Sequence, residues 1–217
     1  MKLVLTGIML LGVQSAFAGV TFFNSTSAAG NTAERDAWLA AAGITSGSSF
    51  IDFEGFTDGT NVDGVDLGGL TITHTTGNSL IQSSPTFFGG SNPIDMRAVA
   101  FSGAGGIVIT FDTAVDYIGG FDIDNVGGTL QVTLTDNTTA SISLDNTAVG
   151  GDSAEFWGVW RNDAAAISRI DWTGVSGGDG EWGLDNLEYG VVPEPGTMIL
   201  LGLGASALAA RRRKKQS

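Results

Sequence analysis

The stretch Leu130-Gln131-Val132-Thr133-Leu134, followed by Asp136-Asn137 and then Ser141-Ile142-Ser143-Leu144, decides the fold. Its apolar residues fall strictly at every second position, the period of a strand with one wet face. Asp136-Asn137 is a turn former, so the stretch reads as a β-hairpin.

The same pattern extends in both directions. Toward the N-terminus, alternating or short apolar strands are predicted at Ser49 to Glu54, Leu70 to His74, Ala98 to Phe101, Ile107 to Phe111 and Asp116 to Ile123. In the first of these, Phe50, Asp52 and Glu54 share one face, and Ile51 and Phe53 share the other. The Gly119-Gly120 pair predicts a bulge. Toward the C-terminus, strands are predicted at Phe156 to Arg161, Ile167 to Trp172 and Trp182 to Tyr189. Gly, Asp and Asn turns separate them. One helix precedes all of these, with Asn31 as N-cap, Glu34 in its first turn and Gly43 as the residue that ends it. About ten strands with one polar face each make antiparallel sheets packed face to face. The expected fold is a jelly-roll-like antiparallel β-sandwich with one short N-terminal helix, over residues 19–190.

The two ends differ from this middle. Lys2 followed by the apolar run Leu3 to Val13, then Ala16-Phe17-Ala18, has the three parts of a secretory signal peptide over residues 1–18. Ala16 and Ala18 are the small residues of the cleavage site, and the mature chain is expected to start at Gly19. At the other end, Pro193-Glu194-Pro195 can neither continue a strand nor enter a helix, so residues 191–195 are extended. Residues 196–210 are apolar apart from Thr197 and Ser206, and residues 211–217 open with five consecutive cations, Arg211 to Lys215. An apolar helix ending in cations is a membrane segment whose basic end stays in the cytoplasm. Fifteen helical residues span about 22 Å, short of the ~30 Å hydrocarbon core, so the arginines must snorkel.

Pro-Glu-Pro, a short apolar helix and an arginine-rich end, in that order, resemble the PEP-CTERM sorting signal. Gly196 stands where family tails often carry serine. The resemblance implies that Pro193, Glu194 and Pro195 are recognised by exosortase, an integral-membrane transpeptidase-like enzyme that processes the tail. It implies an exported protein of a Gram-negative bacterium, held briefly in the inner membrane and then released to the cell surface or extracellular matrix. It associates the chain with exopolysaccharide and biofilm.

Composition bounds the chemistry. The chain has no cysteine, which excludes thiol catalysis, thiolate zinc sites and disulfides. Between the two ends the only cations are four arginines, against 22 acids, so the ectodomain carries about −18 although the whole chain carries −13. Such a surface repels nucleic acid and anionic lipid and attracts divalent cations. Calcium, which takes six to eight oxygens, is the expected cofactor. The ectodomain faintly resembles jelly-roll carbohydrate-binding modules, in which an early Phe-Glu strand and the last strand share a calcium. That likeness implies Glu54 and Asp185 as ligands. Trp182, beside a glycine-rich loop, is the candidate carbohydrate platform, while of Trp157 and Trp160, on opposite faces, one belongs in the core.

Enzymatic signatures are missing. His74, the only histidine, is expected on an exposed strand face. No Gly-x-Ser-x-Gly elbow accompanies it, and no phosphate-binding loop exists. Asp52 and Glu54 sit about 7 Å apart on one strand face, yet no motif selects them as a glycosidase pair. The expected function is that of a non-enzymatic surface or matrix protein. The alternatives are a secreted polysaccharide hydrolase or lyase, and a structural matrix protein without a ligand.

Overall fold

The computed structural model describes residues 15–17, 19–25, 31–44, 48–83, 97–102, 105–123, 127–144, 154–161, 165–173 and 181–192. The leader's apolar run, Pro193-Glu194-Pro195 and the predicted membrane helix over 196–210 lie outside them. Among the described residues, no helix is long and apolar enough to cross a membrane.

The strands are β1 (Ser15–Phe17), β2 (Val20–Asn24), β3 (Ser49–Ile51), β4 (Leu70–His74), β5 (Ser79–Gln82), β6 (Ala98–Ser102) and β7 (Ile107–Val115), then β8 (Tyr117–Ile123), β9 (Gly128–Leu134), β10 (Thr139–Leu144), β11 (Ala154–Arg161), β12 (Ile167–Thr173) and β13 (Glu181–Gly190); the helix α1 spans Asn31–Ala42. Every pairing between strands is antiparallel. The larger sheet runs β1-β2-β11-β8-β13-β6-β5, with β3 also on β13, and the smaller runs β10-β9-β12-β7-β4. The chain is therefore a β-sandwich, as its alternation predicts. The hairpin forms between β9 and β10, with Asn137 at φ +67° and the Asp136 carboxylate accepting the Thr138 N–H.

The core between the sheets is aromatic. Ring contacts run from His74 to Phe101, Trp182, Trp172 and Trp157, with centroids 4.5–5.7 Å apart. Aliphatic side chains of both sheets, among them Ile72, Ile109, Val132, Ile170 and Leu184, fill the space around this row.

The outer face of the larger sheet is covered too, which the alternation did not foretell. Helix α1 lies on it and inserts Trp38. Gly119 and Gly158 face each other across β8 and β11 beneath that ring. A Cβ on Gly158 would stand 2.9 Å from Trp38 Cδ1, and one on Gly119 would stand 3.1 Å from Trp38 Cη2. The two glycines thus form a floor on which the indole lies, and Trp38 Nε1 donates to the Val159 carbonyl at 3.2 Å. Tyr117, Phe156 and half-buried Trp160 complete the cluster. Trp157 and Trp160 do take opposite faces, Trp157 between the sheets and Trp160 beneath the helix. Past the helix, Gly43 adopts φ +67° and the Ile44 N–H returns to the Leu39 carbonyl, which closes the last turn.

Two predicted details differ. The bulge near Gly119-Gly120 belongs to the neighbouring strand: β13 carries one extra residue between Asp185 and Glu188, opposite Gly120. A Cβ on Gly120 would stand 2.6 Å from Leu187 Cδ2, so the glycine makes room for that bulge. The strand predicted from Ser49 to Glu54 stops at Ile51. There the Asp52 carboxylate accepts the Glu54 N–H and Phe53 turns to φ +59°, so Asp52 and Glu54 do not share a strand face.

Candidate functional site

Asp185 lies at a strand junction. Along one flank, β13 pairs with β6 up to Leu184 and with β3 from Leu187 onward. Asp185 and Asn186 fill the gap, and Asn186 adopts φ +49°. Asp185 is fully buried and accepts the Asn186 N–H at 2.7 Å. Glu54 is engaged by Arg97, which stands just ahead of β6. Its carboxylate accepts the Arg97 backbone N–H at 2.5 Å, and the guanidinium lies 3.6 Å from Glu54 Oε2 and 3.2 Å from Asp58. Among the described residues, no group of three or more His, Asp or Glu side chains is arranged to hold a metal ion. Arg97 neutralises Glu54 as arranged, so a calcium ion at this carboxylate has to displace it.

Trp182 is not a platform. It is 0% exposed, with its ring 4.5 Å from Phe101 and 5.3 Å from Trp172. The adjacent glycine-rich loop signalled a rim, but β6 and β12 close over the ring. His74 is likewise interior, only 4% exposed. Its backbone N–H donates to Asp63 at 2.6 Å, and Asp63 also accepts the Ser79 hydroxyl at 3.0 Å. Among the described residues, neither ring nitrogen of His74 has a hydrogen-bond partner.

Burial depresses the His74 pKa below its ordinary 6.5, against a smaller upward pull from Asp63. The unfolded chain therefore binds this proton more readily than the folded one. The contribution is fully present above pH 6.5 and is lost as pH falls from there through the lower folded value. Chemical denaturation across that window should show stability falling with pH. A His74→Phe variant should flatten the fall.

Several other described acids are committed. Asp66 caps the Gly68 and Gly69 N–H groups, which hold its carboxyl below the usual range. Asp171 pairs with Arg169, and Glu188 accepts from Arg35 at 2.6 Å and from Ser48 at 2.7 Å. Buried Asp116 pairs with Arg161 and accepts the Val192 N–H at 2.7 Å. Asp116 thus clamps the chain one residue before Pro193, fixing where the tail leaves the sandwich.

An open cleft of about 340 Å³ lies beside that exit. Ser49, Asp112, Thr113, Tyr189 and Val191 line it. The Tyr189 hydroxyl donates to the Gly68 carbonyl at 2.8 Å, which fixes the ring, and burial raises its pKa. Asp112 and Thr113 are exposed there, so the cleft offers a carboxylate and hydroxyls beside an aromatic edge. The sequence carried no signal for it, because its walls come from four separate segments.

Residues 191–214 match the model of the PEP-CTERM protein-sorting motif. The chain therefore carries a tail that directs export and sorting to the cell surface of Gram-negative bacteria, with exosortase as the processing partner. No curated protein sequence matches the chain. Among solved structures, a Bacillus subtilis glycoside hydrolase family 43 arabinoxylan arabinofuranohydrolase in complex with cellotetraose is similar at 14% identity and a TM-score of 0.33, covering 64% of this chain. The chain spans 30% of that enzyme's length.

Proposed function

We propose that this chain is a non-enzymatic protein of the cell surface or extracellular matrix, delivered by exosortase and held among exopolysaccharide. The sorting motif at residues 191–214 carries the reading. The engagement of Asp66, Asp116, Asp171 and Glu188 in ion pairs and turns is in keeping with it. The cleft beside Tyr189 is where a saccharide unit would dock, with Asp112 and Thr113 as hydrogen-bonding partners.

Binding and activity are tested on the processed protein with a panel of neutral and acidic polysaccharides. Retention on a neutral polysaccharide is expected, without product release. Asp112→Ala should weaken that retention about tenfold, the equivalent of one charge-assisted hydrogen bond of roughly 1.5 kcal/mol, and leave the melting temperature unchanged. Product release that vanishes on changing one carboxylate would establish a hydrolase or lyase instead. No retention on any polysaccharide would leave the ligand-free structural role.

Calcium enters this reading as a structural ion that replaces Arg97 beside Glu54 and Asp185. A calorimetric titration with calcium should then give heat and a higher melting temperature, both lost in Glu54→Gln. Absence of heat and of any melting shift removes calcium from the account.

A further inference from the structure

The two sides of the sandwich treat their edge strands differently. On one side β4 and β5 approach each other, and the segment 57–67 closes both edges. Its backbone bonds to β5 through Gly59 N–H to Ile81 O, Ile81 N–H to Thr60 O and Val62 N–H to Ser79 O. It bonds to β4 through Gly64 N–H to Ile72 O and Leu67 N–H to Leu70 O. Asp63 takes the His74 N–H.

On the other side β2 and β10 approach each other. Among the described residues, β10 is the last strand of its sheet and β1 is the strand that covers the outer edge of β2. The pairs Ser15↔Phe22, Ala16↔Thr21 and Phe17↔Val20 show that this edge accepts an antiparallel strand. β1 lies wholly within the leader, ahead of the cut expected between Ala18 and Gly19. Removing the leader bares the edge. The Ser25 N–H donates to Phe156 on β11, so by alternation Thr21 and Phe23 also face β11, and Val20, Phe22 and Asn24 face outward. Phe22 is packed in the core and Phe23 under the helix cluster, so the bared backbone stays in strand conformation. Neither β2 (VTFFN) nor β10 (TASISL) holds a charge, proline or glycine, the usual guards of an exposed edge.

We propose that leader removal uncovers a self-association surface, on which a second copy of this chain adds edge to edge through β2, with β10 alongside. The occupant is a second copy because two edges lie side by side. A single foreign strand fills one of them, whereas a second sandwich brings the same two in matching order. An antiparallel pair centred on Phe22 sets Val20 opposite Asn24 of the second copy, so the register is its own complement. The ectodomain charge of about −18 opposes approach, so salt strengthens the pairing. The inference rests on the leader reading, and its test separates the two.

The chain is exported in its own cells in three forms and recovered after processing. One keeps the native leader. One carries a foreign leader cut ahead of Gly19. One carries a foreign leader cut ahead of Ser15, so that β1 stays. N-terminal sequencing locates each cut, and circular dichroism confirms that each form is folded. Sedimentation velocity in 0.3 M salt should show dimers for the two forms that begin at Gly19 and monomers for the form that keeps β1. The dimers should dissociate at 0.02 M salt. The same mass for the Gly19 and Ser15 forms overturns the proposal, whether both are monomers or both dimers. A native form that does not begin at Gly19 overturns the leader reading alone, because the second form still tests the edge.

Discussion

Replacing Trp172 with alanine should destabilise the sandwich by about 3–5 kcal/mol, the range for a large buried aromatic. Trp172 lies on β12, the middle strand of the smaller sheet, and is fully buried. Its ring contacts Trp157 at 5.6 Å and Trp182 at 5.3 Å, both from the opposite sheet, so it is the central link between the layers. Its Nε1 donates to the Gly127 carbonyl at 2.9 Å, and that acceptor would lose its partner as well. With no disulfide to tie the sheets, packing of this kind holds them together. A domain of this size is stable by only about 5–15 kcal/mol, so the variant should lose roughly a fifth or more of its margin. Denaturant titration should show a lower midpoint at an unchanged slope. Trp160→Ala, which empties a half-buried position under the helix, should cost less. A Trp172→Ala loss below about 1 kcal/mol is incompatible with a ring that fills the core.

The second large effect concerns the tail. Changing Pro193, Glu194 and Pro195 together to alanine should abolish processing while leaving the fold intact. The three residues lie beyond Val192, whose N–H is, among the described residues, the last backbone group tied to the sandwich, through Asp116. Nothing described in the ectodomain depends on them. Alanines lift the proline block on helix formation ahead of the apolar run and remove the side chains expected to be recognised. The variant should accumulate with its tail in the inner membrane, with the same melting temperature as the native ectodomain. Normal release of the triple variant would mean that the segment is only a spacer.

The strands were legible where alternation was clean. Leu130 to Leu134 shows a strict two-residue period, and Ile107 to Phe111 a short β-branched apolar run. β2 was missed because Val-Thr-Phe-Phe follows directly on the apolar leader, and β5 because Ser79 to Gln82 is short and half polar. Alternation assigns a residue to one of two faces, but it does not say what covers each face. His74 and Trp182 were misplaced for that reason: Phe101, which packs on both, comes from a distant strand. The glycines misled in a similar way. Gly119 and Gly120 are small because Trp38 and Leu187 press on them, which a search for bulges does not foresee. Glu54 and Asp185 came from an analogy of strand order, and the cation that stands beside Glu54 is Arg97. The cleft beside Tyr189 could not be read at all, since Ser49, Asp112 and Tyr189 meet only once the sheets are formed. The sorting tail was legible throughout, because its proline pair, apolar run and cations are contiguous.

The most direct test of the sorting account is the intact mass of the native protein, taken from its own cells after fractionation. The account predicts a chain that begins at Gly19, ends near Pro193 to Pro195 and lies outside the inner membrane. A mass that runs through Ser217, in the inner-membrane fraction, would make the tail a permanent anchor and contradict delivery to the surface.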